Sequence, residues 1–393
     1  MKRIELFLVT IVLCLLIGAC ASGEKPDEEK TIAIENYPTI HETEFGGVYI
    51  GITIDEFNAS GFAFGDSVDI VFSNGYQLED IPYYNGYYVE AGETLLVGYP
   101  GYDYIKAAIN YGDDLWDQGK LYASTANNLW LKAALDEHCT ATVRLREKAK
   151  YLKIQEARDI HYYDERERYD SDTIFANFRN IHMGNIKEGV LYRSASPCDN
   201  SHQRAHYVDA LISEVSLKAI LDLADDEDKI EGYIGKEDFA SSYFLSLYEN
   251  GRVFPIALSM NYLSEVYGEK IAQGLIMLEN VEGPYLIHCT EGKDRTGFVC
   301  MLVEALCGAS YQEIADDYML TYANYYNITK EKEPDKYQVI LEQNLDAMIR
   351  SIVDDDSIDF KTADLAVYAR SYLLKAGMEE AQIDAFIASL CDQ

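Results

Sequence analysis

The sequence predicts an α/β body, built on a central, mostly parallel sheet flanked by helices and preceded by a small β-rich domain. Three observations predict it. From Ala219 to Tyr325 short apolar runs alternate with amphipathic helical patterns, the signature of a sheet covered by helices. One such run, Pro284 to Ile287, enters a glycine-bearing loop that leads into Phe298 to Leu306, an apolar stretch of helical character. Upstream, Gly46 to Tyr99 carries β-branched and aromatic segments separated by Asn-Gly pairs.

The elements follow in chain order. Lys2 and Arg3 precede an apolar run, Ile4 to Ile17, shorter than a membrane span and ending in small residues before Cys20. Ile17-Gly-Ala-Cys20 resembles a bacterial lipobox. The resemblance implies a lipoprotein signal peptide at 1–19, lipidation of Cys20, and anchorage at the extracellular face of the bacterial membrane. Residues 20–40, polar from Ala21 to Lys30, read as a flexible tether.

Residues 41–114 form the β-rich domain, with strands expected at Val48–Ile54, Val68–Phe72, Gly86–Val89 and Thr94–Tyr99. This region is similar to the C-terminal β-barrel domain of hydroxide adenosyltransferases. It has no matching catalytic block, so no adenosine chemistry carries over. Tyr83, Tyr84, Tyr87 and Tyr88 suit either a face for sugars or peptides or plain strand packing.

Residues 115–172 read as a helical, charged linker, and 173–393 as the α/β body. Its inner strands are Ala219–Leu223, Val253–Leu258 and Tyr285–Cys289. Its helices are Gln203–Val215, Glu265–Leu278, Arg295–Leu306 and Tyr311–Tyr325. Amphipathic helices at Asp335–Ser351 and Lys361–Leu390 cover the sheet or shape the mouth of the site.

Charge narrows the partners. Asp and Glu total 67 against 33 Lys and Arg, a formal charge of -34, which repels nucleic acid and anionic lipid at long range. Of eight cysteines, Cys14 falls in the export signal, Cys20 at the lipid site and Cys289 in the loop after the third inner strand. The others are spread and odd in number, with neither a disulfide framework nor zinc spacing. The acidic runs Asp225–Asp228 and Asp354–Asp356 lack the alternating oxygen ligands of a calcium loop, so no metal or other cofactor is expected.

The loop carries the chemistry. In His288-Cys-Thr-Glu-Gly-Lys-Asp-Arg-Thr-Gly297, five residues separate Cys289 from Arg295 between a strand and a helix. Free N–H groups and the positive end of a helix dipole attract an oxyanion there and favour a thiolate over a thiol. Arg295 offers a planar fork for two phosphoryl oxygens. Gly292 permits a tight turn toward the anion. Thr296 can donate its hydroxyl to the sulfur, and Thr290, Glu291 and Lys293 complete the surround. His288 either fixes the loop through a ring hydrogen bond or is a plain core histidine. A carboxylate facing phosphate is repulsive unless protonated, which makes Asp294 the expected general acid, with Asp222 the rival. By contrast, His138-Cys139-Thr-Ala-Thr-Val-Arg144 has four intervening residues, no glycine and no strand before it, and reads as structural.

The loop resembles the His-Cys-x-x-Gly-Lys-Asp-Arg-Thr-Gly loop of the bacterial tyrosine phosphatase family with dual protein and lipid specificity, part of the cysteine-dependent phosphatases. Asn177-Phe-Arg179 and Leu191-Tyr-Arg-Ser-Ala195 resemble that family's opening segments. Asn180 replaces an Asp, and Asp222-Leu-Ala224 stands where the family often has Asp-Leu-Arg. The resemblance implies a cysteine-phosphatase fold and hydrolysis through a phosphocysteine. Phosphotyrosine protein or a small phosphomonoester is the expected substrate; phosphoinositides or inositol phosphates come next, since Lys293 suits a second phosphate. A noncatalytic phosphate-binding lipoprotein is the remaining alternative.

Overall fold

A computed structural model of the chain describes residues 31–43, 46–111, 114–122 and 139–391. The expected signal peptide and Cys20 lie outside the described residues. Two sheets organise the rest.

The first is a closed barrel of seven strands: β1 (Ala33–Glu42), β2 (Gly47–Thr53), β3 (Ser67–Phe72), β4 (Gln77–Tyr84), β5 (Thr94–Val97), β6 (Tyr104–Ile109) and β7 (Thr140–Glu147). They close in the order β1-β2-β6-β5-β4-β3-β7, antiparallel except for β4 against β5. Alternate residues such as Val48, Ile50, Val68, Ile70, Ala107 and Val143 fill the inside. Short helices α1 (Ile54–Ala59) and α2 (Leu115–Gln118) add Phe57, Leu115 and Trp116 to that core. Thr53 and Glu56 cap α1 reciprocally.

Three expectations change here. Residues 33–40, expected in the tether, join 41–42 as β1, and Thr140–Glu147, expected within the helical linker, form β7. Gly86–Val89 is a loop; the strand is Gln77–Tyr84, and its Tyr83 and Tyr84 are fully buried. The aromatic content that suggested a strand at 86–89 serves contacts outside the barrel, where Tyr87 and Tyr88 pack with Tyr84 and Tyr151.

Helix α3 (Leu152–Arg158) leads to the second sheet, of β8 (Arg179–Ile181), β9 (Leu191–Ser194), β10 (Ala219–Asp222), β11 (Val253–Pro255) and β12 (Tyr285–His288), ordered β11-β10-β12-β9-β8. The first four strands in that order run parallel, and β8 is antiparallel to β9. Helices pack around it: α4 (Asp172–Phe175), α5 (Ala205–Glu214), α6 (Glu227–Ile234), α7 (Ser242–Glu249), α8 (Glu265–Glu279), α9 (Asp294–Leu306) and α10 (Tyr311–Tyr326). Helix α9 is buried from Thr296 to Leu306, a stretch whose one charged residue is Glu304, since other elements surround it. Helices α11 (Pro334–Ile340), α12 (Ala347–Val353), α13 (Leu365–Lys375) and α14 (Glu380–Leu390), with a π-helical stretch at Leu341–Asp346, complete the body. No described helix is long and apolar enough to cross a membrane.

Candidate active site

Parallel register gathers the reactive side chains. Asp222 at the end of β10 pairs with His288 at the end of β12, which pairs in turn with Ser194 at the end of β9. The loop 289–293 leaves β12 at this edge and enters α9, so the first-turn N–H groups of α9 lie at the carboxyl ends of the strands. Cys289 is recessed there, 3% exposed. Arg295 donates from Nη1 to the Leu258 carbonyl (3.3 Å) and from Nη2 to Thr290 Oγ1 (3.2 Å), which folds its guanidinium back over the loop. Thr296 is fully buried, and its hydroxyl has no hydrogen-bond partner among the described residues.

A buried scaffold fixes the loop's shape. Gly292 has φ +68°, and a Cβ there would lie 2.2 Å from the Ser194 carbonyl oxygen, so only glycine fits. Its carbonyl accepts from Asn177 Nδ2 (3.1 Å) and Arg193 Nη2 (3.0 Å). The Glu291 carbonyl accepts from the Tyr325 hydroxyl (2.7 Å), and the Thr290 carbonyl from the Ser196 N–H (3.1 Å). With its carbonyls turned outward into these bonds, the loop leaves its N–H groups for an anion.

Asp317 on α10 holds the arginine of that scaffold, accepting from Arg193 Nη1 (2.5 Å) and Arg179 Nε (2.6 Å). Burial alone would raise this carboxyl, but the two guanidiniums hold it well below the usual range. Arg179 also donates to Asn177 Oδ1 (2.7 Å). Thus the Asn177-Phe-Arg179 and Leu191-Tyr-Arg-Ser segments, noticed only as a resemblance, are the struts of the loop. Asp317 gave no sequence signal, because an acidic residue in an amphipathic helix ordinarily reads as solvated.

The two acids differ in setting. Asp222 is fully buried; its Oδ1 accepts from the N–H groups of Ala224 (2.9 Å) and Asp225 (3.2 Å), while its Oδ2 lies 3.9 Å from His288 Nε2. Burial, only partly offset by those bonds and by Arg295, pushes its carboxyl up to about 6. Burial likewise pushes His288 down to about 4. The imidazole Nδ1 sits 3.4 Å from the Cys289 carbonyl, so the ring does contact the loop. The Cys198 thiol and the carboxylates of Asp222 and Asp225, all buried, lie within 4.8 Å of one another. Asp294, by contrast, is partly exposed at the mouth, where Lys293 Nζ reaches its Oδ2 (3.2 Å) and Glu291 Oε2 (3.7 Å).

A cleft of about 150 Å³ opens over Lys293, Asp294 and Arg295. Tyr262 and Tyr267 line it from the α/β body, and Val89, Glu90 and Tyr111 from the barrel. The barrel is therefore one wall of the site, which sequence reading did not foresee. The joint is polar: Arg350 meets Glu90 (2.9 Å), and Gln155 of α3 exchanges hydrogen bonds with Asn85 (2.7 and 3.2 Å).

Among solved structures, the chain is similar to the core catalytic domain of the PP-IP phosphatase SIW14 from S. cerevisiae in complex with citrate. The identity is 22%, covering 46% of this chain and 98% of that one, with a TM-score of 0.25. It is also similar to TpbA from P. aeruginosa in complex with pTyr, at 17% identity over 42% of this chain and 88% of that one, TM-score 0.25. No curated protein matches the chain. Residues 174–391, over half of the chain and the whole of the body that frames the Cys289 loop, match the model of the tyrosine phosphatase family; the chain belongs to that family and is a phosphomonoester hydrolase.

Proposed function

We propose that the chain hydrolyses protein phosphotyrosine by double displacement at Cys289. The observation that carries the reading is a recessed thiol in a loop whose carbonyls are tied outward by Asn177, Arg193 and Tyr325. The Cys289 thiolate attacks phosphorus in line, while Arg295 and the loop N–H groups hold the equatorial oxygens. The Thr296 hydroxyl, without another partner among the described residues, is available to the sulfur as nucleophile and as leaving group. Asp294 protonates the departing phenol and then takes a proton from the water that cleaves the phosphocysteine. Its place in the cleft supports this role, whereas Asp222 is fully buried and does not line that cleft.

The test is phosphate release from a phosphotyrosyl peptide and from p-nitrophenyl phosphate. Cys289→Ser should abolish both; equal rates for variant and wild type would leave a phosphate-binding protein instead. On an alkyl phosphate, whose leaving group needs the proton, Asp294→Asn should lose at least about a hundredfold. Loss with Asp222→Asn instead would move the acid to the rival.

Lys293 supports a second reading, since it stands at the mouth beside the loop and suits another phosphate, as in a phosphoinositide. For location, the lipobox-like Ile17-Gly-Ala-Cys20 supports an exported lipoprotein held at the extracellular face of the bacterial membrane through Cys20. Loss of membrane association in Cys20→Ser cells is the expected result.

A further inference from the structure

The outer face of the barrel carries a second concavity. Residues that alternate with the inward-facing core must point outward. Tyr49 and Lys106 do so as cross-strand partners on β2 and β6, beside Val97 of β5. They help line a trough of about 490 Å³ together with Tyr87, Tyr99 and Tyr102. Tyr99 and Tyr102 are 44% and 46% exposed, so this is a contiguous aromatic patch open to solvent.

The trough is ordered from within. Lys106, ion-paired with Glu42 at 3.4 Å, lies 5.7, 5.5 and 5.8 Å from the ring centroids of Tyr49, Tyr87 and Tyr102, a spacing that fixes three rings about one cation. Tyr99 stands edge-on to Tyr102 at 5.6 Å.

It is also continuous with the catalytic cleft. Tyr87, Asn110, Tyr111 and Met260 line both. Tyr111 at the junction has φ +48°, a backbone region that bulky residues rarely take. Asn110 anchors it, donating from Nδ2 to the Val89 carbonyl (2.6 Å) and accepting from the Gly92 N–H (2.6 Å). The two concavities meet at a residue whose backbone is held in an unfavourable conformation.

We infer that the trough is a polypeptide subsite: it seats the residues flanking the phosphotyrosine of an extended substrate segment, laying apolar or aromatic side chains on the tyrosine rings. This rests on the phosphotyrosine reading above. A phosphate-rich ligand would need spare cations, and Lys106, the one cation among the described lining residues, is already matched by Glu42. A lipid chain would call for mainly aliphatic walls, whereas six tyrosines outnumber Val97, Ile109 and Met260 among the described lining residues. Flat, hydroxyl-edged rings give a peptide large contact area at low entropic cost.

The test uses the full chain and the double variant Tyr99→Ala/Tyr102→Ala, both positions being exposed and outside the barrel core. For a phosphotyrosyl peptide with aromatic flanking residues, KM should rise about tenfold, the equivalent of one well-packed contact region, with kcat roughly unchanged. Free phosphotyrosine should be hydrolysed as by wild type. An unchanged peptide KM, or an equal loss on free phosphotyrosine, overturns the subsite. A KM effect confined to phosphoinositide vesicles assigns the trough to lipid and overturns it as well. If wild type cleaves small phosphoesters but no phosphotyrosyl peptide, the phosphotyrosine reading itself has failed, and the subsite with it, before any variant is compared.

Discussion

At the residue scale the Cys289 loop rests on a glycine that permits no substitute. Gly292→Ala would place a methyl 2.2 Å from the Ser194 carbonyl oxygen at a positive φ, so the loop must shift. A displacement of about an ångström at a reacting centre costs on the order of a hundredfold, and steady-state kinetics should show at least that loss in kcat/KM. Asp222 gives a pH signature. Its carboxyl is raised to about 6 in the folded chain, above the ordinary value near 4, so the folded state keeps a proton that the unfolded chain has released. The associated stability is full below about pH 4 and is lost as pH rises through 6, roughly 2–3 kcal/mol in all. Denaturant titrations should find Asp222→Asn gaining on wild type by that amount between pH 4 and pH 7. A flat difference would mean that the carboxyl is not raised. His288 has the opposite sign: pushed down to about 4, it contributes above its ordinary value near 6.5, a contribution lost as pH falls through 4.

At the element scale, α10 determines how the loop between β12 and α9 is held. Asp317 on α10 reaches Arg193 on β9 and Arg179 on β8, and Arg193 reaches the Gly292 carbonyl. Asp317→Asn would leave two buried guanidiniums short of a counter-charge. Breaking such a set typically costs about 3–5 kcal/mol, and chemical denaturation should detect it together with a fall in kcat. Reading by sequence worked best where chemistry is contiguous. Strand, loop and helix around Cys289 lie in one stretch, and the strands at Ala219 and Tyr285 announce themselves as apolar runs buried on both faces. It worked poorly for β1 and β7, which bury one side only. β1 includes Pro38, and β7 shows Arg144 and Arg146 on its outer side, so each resembles a polar linker until the barrel closes. The partners of Asp317 were hidden for a different reason: 124 and 138 residues separate it from the two arginines.

On the scale of the whole molecule, the joint between barrel and α/β body carries hydrogen bonds and an ion pair. Gln155 satisfies the Asn85 N–H and side chain at once, and Arg158 of the same helix lies 5.5 Å from the Tyr88 ring centroid. Gln155→Ala would orphan part-buried polar groups, an expected cost of about 1–3 kcal/mol in denaturant unfolding. The same variant should raise KM for peptides, since the wall carrying Tyr111 would loosen. Unchanged unfolding and unchanged KM would show the joint to be slack. The wall has a consequence for inheritance. The family match spans 174–391, while Glu90 and Tyr111, which face the catalytic cleft, lie in the preceding barrel. On the proposed subsite, mutation retunes substrate choice by drifting residues in one fold, while the reaction stays under the guard of another.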